Sequence, residues 1–134
     1  MSSRETLCLM ALTRVPRMSL ANVRSLVEAM GSATAVYEHR HELGDVLTSA
    51  RKPALDALAA MDIHMARAEQ ELEWAAHNGI QCLGIDDDNY PQRMRECADA
   101  PVILYYKGQA NLNARHVVAV VGTRHCTVYG QDLI

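Results

Sequence analysis

No run of apolar residues in this 134-residue sequence approaches the roughly 20 that a membrane span needs. Met1-Ser-Ser-Arg-Glu leads straight into a helical pattern, with no apolar core or small-residue cleavage site of a secretory leader. Cys8, Cys82, Cys97 and Cys126 lie far apart and form no CxxC pair, so they read as reduced thiols. There is no basic excess either. Thirteen Lys and Arg stand against sixteen Asp and Glu, a net charge of −3, and many nucleic-acid binders are basic. Repeats and low-complexity segments are absent. His39 and His41 form an HxH pair with no further ligands nearby in sequence. Asp86, Asp87 and Asp88 fall in a turn, where consecutive carboxylates point apart. These absences point away from a membrane protein, a disulfide scaffold and a metal centre. They leave a cytoplasmic chain with no expected cofactor.

An uneven charge distribution is present instead. Residues 1–101 carry −5, whereas residues 102–134 carry Lys107, Arg115 and Arg124 against Asp132 alone, +2. Attraction for phosphate is therefore expected near the C-terminus.

The first part of the chain reads as helical. Glu5 to Arg14 has a broad apolar surface and stops at Pro16. Ser19 is placed to cap a helix carrying Leu20, Val23, Leu26, Val27 and Met30, and Gly31 fits the position after it. Ser32 caps a short third helix, and weaker segments follow at Leu43–Ala50 and Pro53–Ala60. A longer helix spans about Asp62 to Asn78, with Met65, Ala68, Leu72, Ala75 and Ala76 in one stripe and Arg67–Glu71 as an i,i+4 pair. Residues 1–79 are thus expected to form a small helical domain, and residues 80–134 the incomplete start of an α/β domain.

In that second part, Ile80–Ile85 and Val102–Tyr106 are strand-like, with a turn at 86–91 and a short helix at 92–98 between them. The key stretch is Val117 to Gly130, VVAVVGTRHCTVYG. Five apolar residues without polar alternation read as a strand buried on both faces of a parallel sheet. Gly122 permits a sharp turn, Arg124 supplies a cation, and Thr127 caps a helix from Val128. A helix start at the end of such a strand suits phosphate. Three strand-like runs are fewer than the five or six of a doubly wound sheet, so the chain is expected to be a fragment or a truncated protein.

Tyr90-Pro91, Ala100-Pro101, the LYYKG run at 104–108 and VVGTR…YG at 120–130 follow one another in order. Together they resemble the DNA-processing protein A family (DprA, also called Smf), most clearly over residues 80–134. The resemblance implies an extended Rossmann-like domain that binds single-stranded DNA without catalysis, protects incoming strands in natural transformation and loads the RecA recombinase. It also implies a helical domain of sterile-alpha-motif (SAM) type in front, and homodimers in the full-length protein. The family's DNA-contacting loop maps onto Gly122, Thr123 and Arg124, with the helix start at Thr127, Tyr129 and Gly130. Lys107 and Arg115 are accessory candidates. Tyr105 and Tyr106 alternate faces on a strand, so one is expected to be buried and the other open to a stacking base. Val15-Pro16-Arg17-Met18-Ser19 is similar to the turn of a helix-hairpin-helix, with Arg17 and Ser19 where glycines usually stand.

Two other readings remain. A Rossmann-like enzyme of the phosphoribohydrolase type could hold a ribose phosphate on the same turn, though it would need a later Gly-rich and acidic motif. The chain alone could also act as a helical interaction module, with an edge strand at Val117–Val121 that invites association and little affinity for DNA.

Overall fold

The computed structural model describes residues 3–46 and 52–132. Its elements are α1 (Ser3–Leu12), α2 (Leu20–Met30), α3 (Ala33–Glu38), α4 (Lys52–Ala59), α5 (Asp62–His77), β1 (Ile80–Gly84), α6 (Gln92–Arg95), β2 (Ile103–Lys107) and α7 (Val128–Asp132). Helices and a small two-stranded sheet therefore make up the fold.

The first helix is the centre. Cys8, Leu9, Met10, Ala11 and Leu12 are all buried, so α1 shows no solvent side over its second half. A helix apolar all round must be wrapped by others, and α3 and α5 pack on it. With no Phe in the chain, this core is aliphatic and thioether: Leu26, Val36, Leu58, Met61 and Ala68 complete it.

Local signals set the helix ends. Ser19 Oγ accepts the Asn22 amide at 3.1 Å, and Gly31 takes the left-handed conformation (φ 85°) that closes α2. Ser32 Oγ accepts the Ala35 amide at 3.0 Å. The start of α3 has a second cap that sequence spacing did not suggest. Glu5, on α1, accepts the Ala33 amide (2.6 Å), the Thr34 amide (2.9 Å) and the Thr34 hydroxyl (2.5 Å). A carboxylate at a helix start satisfies otherwise orphaned amides.

The Val15–Ser19 turn carries one unusual residue. Arg17 has φ 66°, the one positive-φ residue other than glycine among the described residues. Glycine takes this conformation without the clash that a Cβ introduces. The turn thus keeps a glycine-type backbone with an arginine in it.

Several expectations need correction. Of the Leu43–Ala50 segment, residues 43–46 form turns and residues 47–50 lie outside the described residues. In the α5 stripe, Ala68 and Ala75 are buried, but Ala76 is exposed. Arg67 does not pair with Glu71. It donates to Gln70 Oε1 at 3.3 Å, because Arg14, at the end of α1, takes Glu71 across the α1–α5 packing.

β1 and β2 run antiparallel, with Ile80 opposite Lys107, Cys82 opposite Tyr105 and Gly84 opposite Ile103. Cys82, Val102 and Ile103 join the helical core. Leu83, Ile85, Leu104 and Tyr106 face a second cluster around Tyr90, Ala100 and Leu112. Tyr90 is fully buried and donates its hydroxyl to the Pro101 carbonyl at 2.6 Å. That bond joins the Tyr-Pro turn to the Ala-Pro turn.

The expected parallel sheet does not form among the described residues. Val117–Val121 is not a strand, and Val117, Val118, Val120 and Val121 are 61%, 86%, 74% and 91% exposed. An unalternating apolar strand needs neighbouring strands and a layer on each face. Here no ladder hydrogen bond engages it among the described residues. Its apolar pattern records a burial that the described residues do not supply.

Candidate nucleic-acid interface

Among the described residues, the turn after the exposed valines is held by short-range bonds alone. Thr123 donates its hydroxyl to the His125 carbonyl at 3.0 Å, bending the chain at Arg124–His125. Thr127 Oγ1 accepts the Gly130 amide at 3.2 Å, and the Thr127 carbonyl accepts the Gln131 amide at 3.0 Å, so Thr127 caps α7 as its position implied. Arg124 is exposed, and no hydrogen bond or ion pair engages its guanidinium among the described residues. Tyr129 is 75% exposed.

Gly122 behaves differently from expectation. Positive φ falls at Gly31, Gly79 and Gly108, not at Gly122. With no strand to reverse from, the chain passes Gly122 without a tight turn. Gly130 sits inside α7, where an added Cβ would make ordinary contacts of 3.6 Å with Cys126 and Thr127.

What anchors this segment lies upstream. Asn113 Oδ1 accepts the Gln92 amide at 2.8 Å, while its amide nitrogen donates to the Tyr90 carbonyl at 3.1 Å. Arg93 then donates to two successive carbonyls, Ala114 at 3.0 Å and Arg115 at 3.1 Å. Asn113 and Arg93 thus tie the chain after β2 to the start of α6. Sequence reading missed both, since the partners lie 21 to 23 residues apart and no local pattern links them. Arg115 enters the clamp through its carbonyl, leaving its exposed side chain outside.

Of the other candidates, Lys107 is exposed at the end of β2, away from the turn in sequence. Tyr105 is 46% exposed, whereas Tyr106 is half-buried and exchanges bonds with Ala110 through its hydroxyl. The turn thus brings Thr123, Arg124, Thr127 and Tyr129 together in one exposed segment. Asp87 has a local task, its carboxylate accepting the Gly84 amide at 2.8 Å. A cavity of about 590 Å³ lined by Gln81, Asn89, Tyr106, Gln109 and Asn111 includes none of the phosphate-site candidates at Lys107, Arg115 and 122–130. Among the described residues no helix is long and apolar enough to cross a membrane, and no three His, Cys, Asp or Glu residues gather as metal ligands.

These features define a mixed helical and β chain that presents an unpaired cation outside its core. Comparison with known proteins gives the family. Residues 81–134 match the family model described as DNA recombination-mediator protein A. The chain is 36% identical over 90 residues to a DNA processing protein DprA of Streptococcus pneumoniae, covering 66% of this chain and 30% of that protein. It is 30% identical over 139 aligned positions to a putative DNA processing protein DprA of Mycobacterium tuberculosis, covering 91% of this chain and 33% of that one. No solved structure matches. The matched region, residues 81–134, carries the pattern of the DNA recombination-mediator protein A family, and the chain spans about a third of the length of these curated relatives.

Proposed function

We propose that this chain supplies part of a non-catalytic single-stranded DNA binder that mediates recombination. The observation that carries the reading is Arg124, exposed and unpaired, between Thr123 and the capped start of α7 in the region that matches the family. A planar guanidinium free of carboxylates can take two phosphate oxygens or stack on a base. Such contacts read the backbone rather than the sequence of a strand. The names of the relatives, DNA processing proteins, support the same direction.

The finer parts of the reading follow from the family match. In the longer protein, residues 1–79 would serve as a SAM-like helical domain and residues from 80 onward as the start of a Rossmann-like domain. Val117–Val121 would become a strand there, once other strands flank it. The protein would act in the cytoplasm as a homodimer, protect incoming DNA in natural transformation and hand it to RecA.

Arg124→Ala in the protein tests this. Affinity for oligo-dT should fall by about tenfold, and the dependence of log affinity on log salt should flatten by about one. Circular dichroism should stay unchanged, because Arg124 supports no packing. Equal affinity for both forms across a salt titration would remove Arg124 from the interface.

A further inference from the structure

The chain's single tryptophan lies on the surface, 59% exposed near the end of α5. A side chain of that size is costly to leave in water without a use. Arg67, Glu71 and Trp74 recur at helical spacing on one face of α5. With Arg14 they line an open cavity of about 430 Å³. Glu71 is the carboxylate in this group, and it is engaged by Arg14. Among the described residues Arg67 has only the neutral Gln70 as partner. Glu69 and Glu73 fall roughly 140° and 100° from Trp74 around the helix, by the usual 100° per residue.

The neighbouring sheet face continues the surface. Ile103, Tyr105 and Lys107 alternate onto one side of β2, the side whose inner end, Ile103, packs into the helical core. Tyr105 is 46% exposed beyond it. Burial pushes its phenol up, and the charge of nearby Arg14 pulls it back. Lys107 is opposite Ile80, which follows α5 directly. Among the described residues, two open aromatic rings therefore stand with three cations, one of which, Arg14, pairs the group's one carboxylate.

We propose that Trp74 and Tyr105, with Arg14, Arg67 and Lys107, form a second contact surface for single-stranded nucleic acid, the rings stacking bases and the cations tracking phosphates. This extends the single-stranded DNA reading above to a different part of the molecule. Aromatic faces accept any base, and cations beside them hold the backbone, so the combination suits an unpaired strand without sequence preference. A duplex keeps its bases stacked inside and offers nothing to these rings. The surface rests on α1, α5 and β2, so it does not depend on the turn at Arg124.

The lone tryptophan is its own reporter. Oligo-dT added to the full chain at low salt should quench Trp74 emission, and salt should reverse the quenching. Anisotropy of a labelled oligonucleotide, measured in parallel, reports total binding. Trp74→Ala should weaken binding about tenfold, whereas Trp74→Phe, which keeps a ring, should retain most of it. Trp74 belongs to neither core cluster, so both variants should fold. Quenching that survives Arg124→Ala supports this surface and separates it from the turn. Binding seen by anisotropy and weakened by Arg124→Ala, with Trp74 emission unmoved, overturns the surface and leaves the turn standing. Absence of binding by both readouts overturns both. A Trp74→Ala chain that sediments differently but binds DNA as before assigns the patch to a protein contact and overturns the proposal.

Discussion

The stretch from Leu7 to Leu12 and the stretch from Val117 to Val121 are both apolar runs, yet one is buried and the other is almost entirely in water. Composition does not separate them. Partners do. α1 makes its own backbone hydrogen bonds, so it needs only side-chain neighbours, and α3 and α5 supply them. A strand cannot satisfy its own backbone; it needs another strand at its edge before its valines can be covered. The buried half of α1 thus finds its partners within the described residues, while the strand-like run lacks both its ladder and its layers there.

The largest expected effect follows from this contrast. Leu9→Ala should destabilise by about 2–5 kcal/mol, as for a fully buried leucine in a core. The matching Val120→Ala, at a side chain 74% exposed, should change stability by less than about 0.5 kcal/mol. Urea unfolding followed by circular dichroism measures both. A Val120→Ala cost near that of Leu9→Ala would show that the valines are packed in solution.

Titration gives a second way to sharpen the comparison. Burial raises the thiols of Cys8 and Cys82 and the phenols of Tyr90 and Tyr105, all of them in the packed part. Each is an acid whose ionised form is less favoured in the folded chain than in the unfolded one. Their stabilisation is therefore fully present below the ordinary thiol value of 9.0 and is lost as pH rises through and beyond 9.0 and 10.0. Thermal midpoints should hold steady from neutrality to about pH 8.5 and then fall. A midpoint that rises above pH 9 would contradict the burial of these groups.

A small effect belongs to the hairpin between α1 and α2. Arg17→Gly relieves the left-handed strain of a residue with a Cβ, a cost of roughly 1–2 kcal/mol, and adds chain entropy to the unfolded state in return. The net expectation is a gain below about 1 kcal/mol, read from the same urea curves. A loss would mean that the Arg17 side chain supports the turn.

Much of the packed part was legible because its signals are local. Ser19, Ser32 and Gly31 cap and close helices within a few residues of themselves, so the sequence order contains the answer. Tyr90-Pro91 and Ala100-Pro101 were legible as turns, but the Tyr90 hydroxyl bond that joins them was not. The Glu5 cap on α3, the Arg14–Glu71 pair and the Asn113 and Arg93 clamp all connect residues more than twenty apart, where spacing carries no information. In the candidate site, Thr127 was placed by its capping chemistry and Arg124 as the cation of the turn, a place the resemblance then repeated. The buried parallel strand was inferred from apolarity alone, a pattern that names a preference and not its partner. Trp74 was passed over because the stripe that builds the core of α5 lies on its other side.

The clamp at Arg93 also sets a length. Beyond Arg115 the backbone has no further long-range tie among the described residues, and nine residue steps lead from that point to Arg124. Fully extended, they reach about 30 Å, comparable to the diameter of a folded unit of this size. Arg124 is in effect a tethered cation whose radius of action is fixed at one end by an arginine on α6. A strand already resting on the packed part within that radius would meet it at an effective concentration on the order of millimolar, so even a weak phosphate contact would slow release.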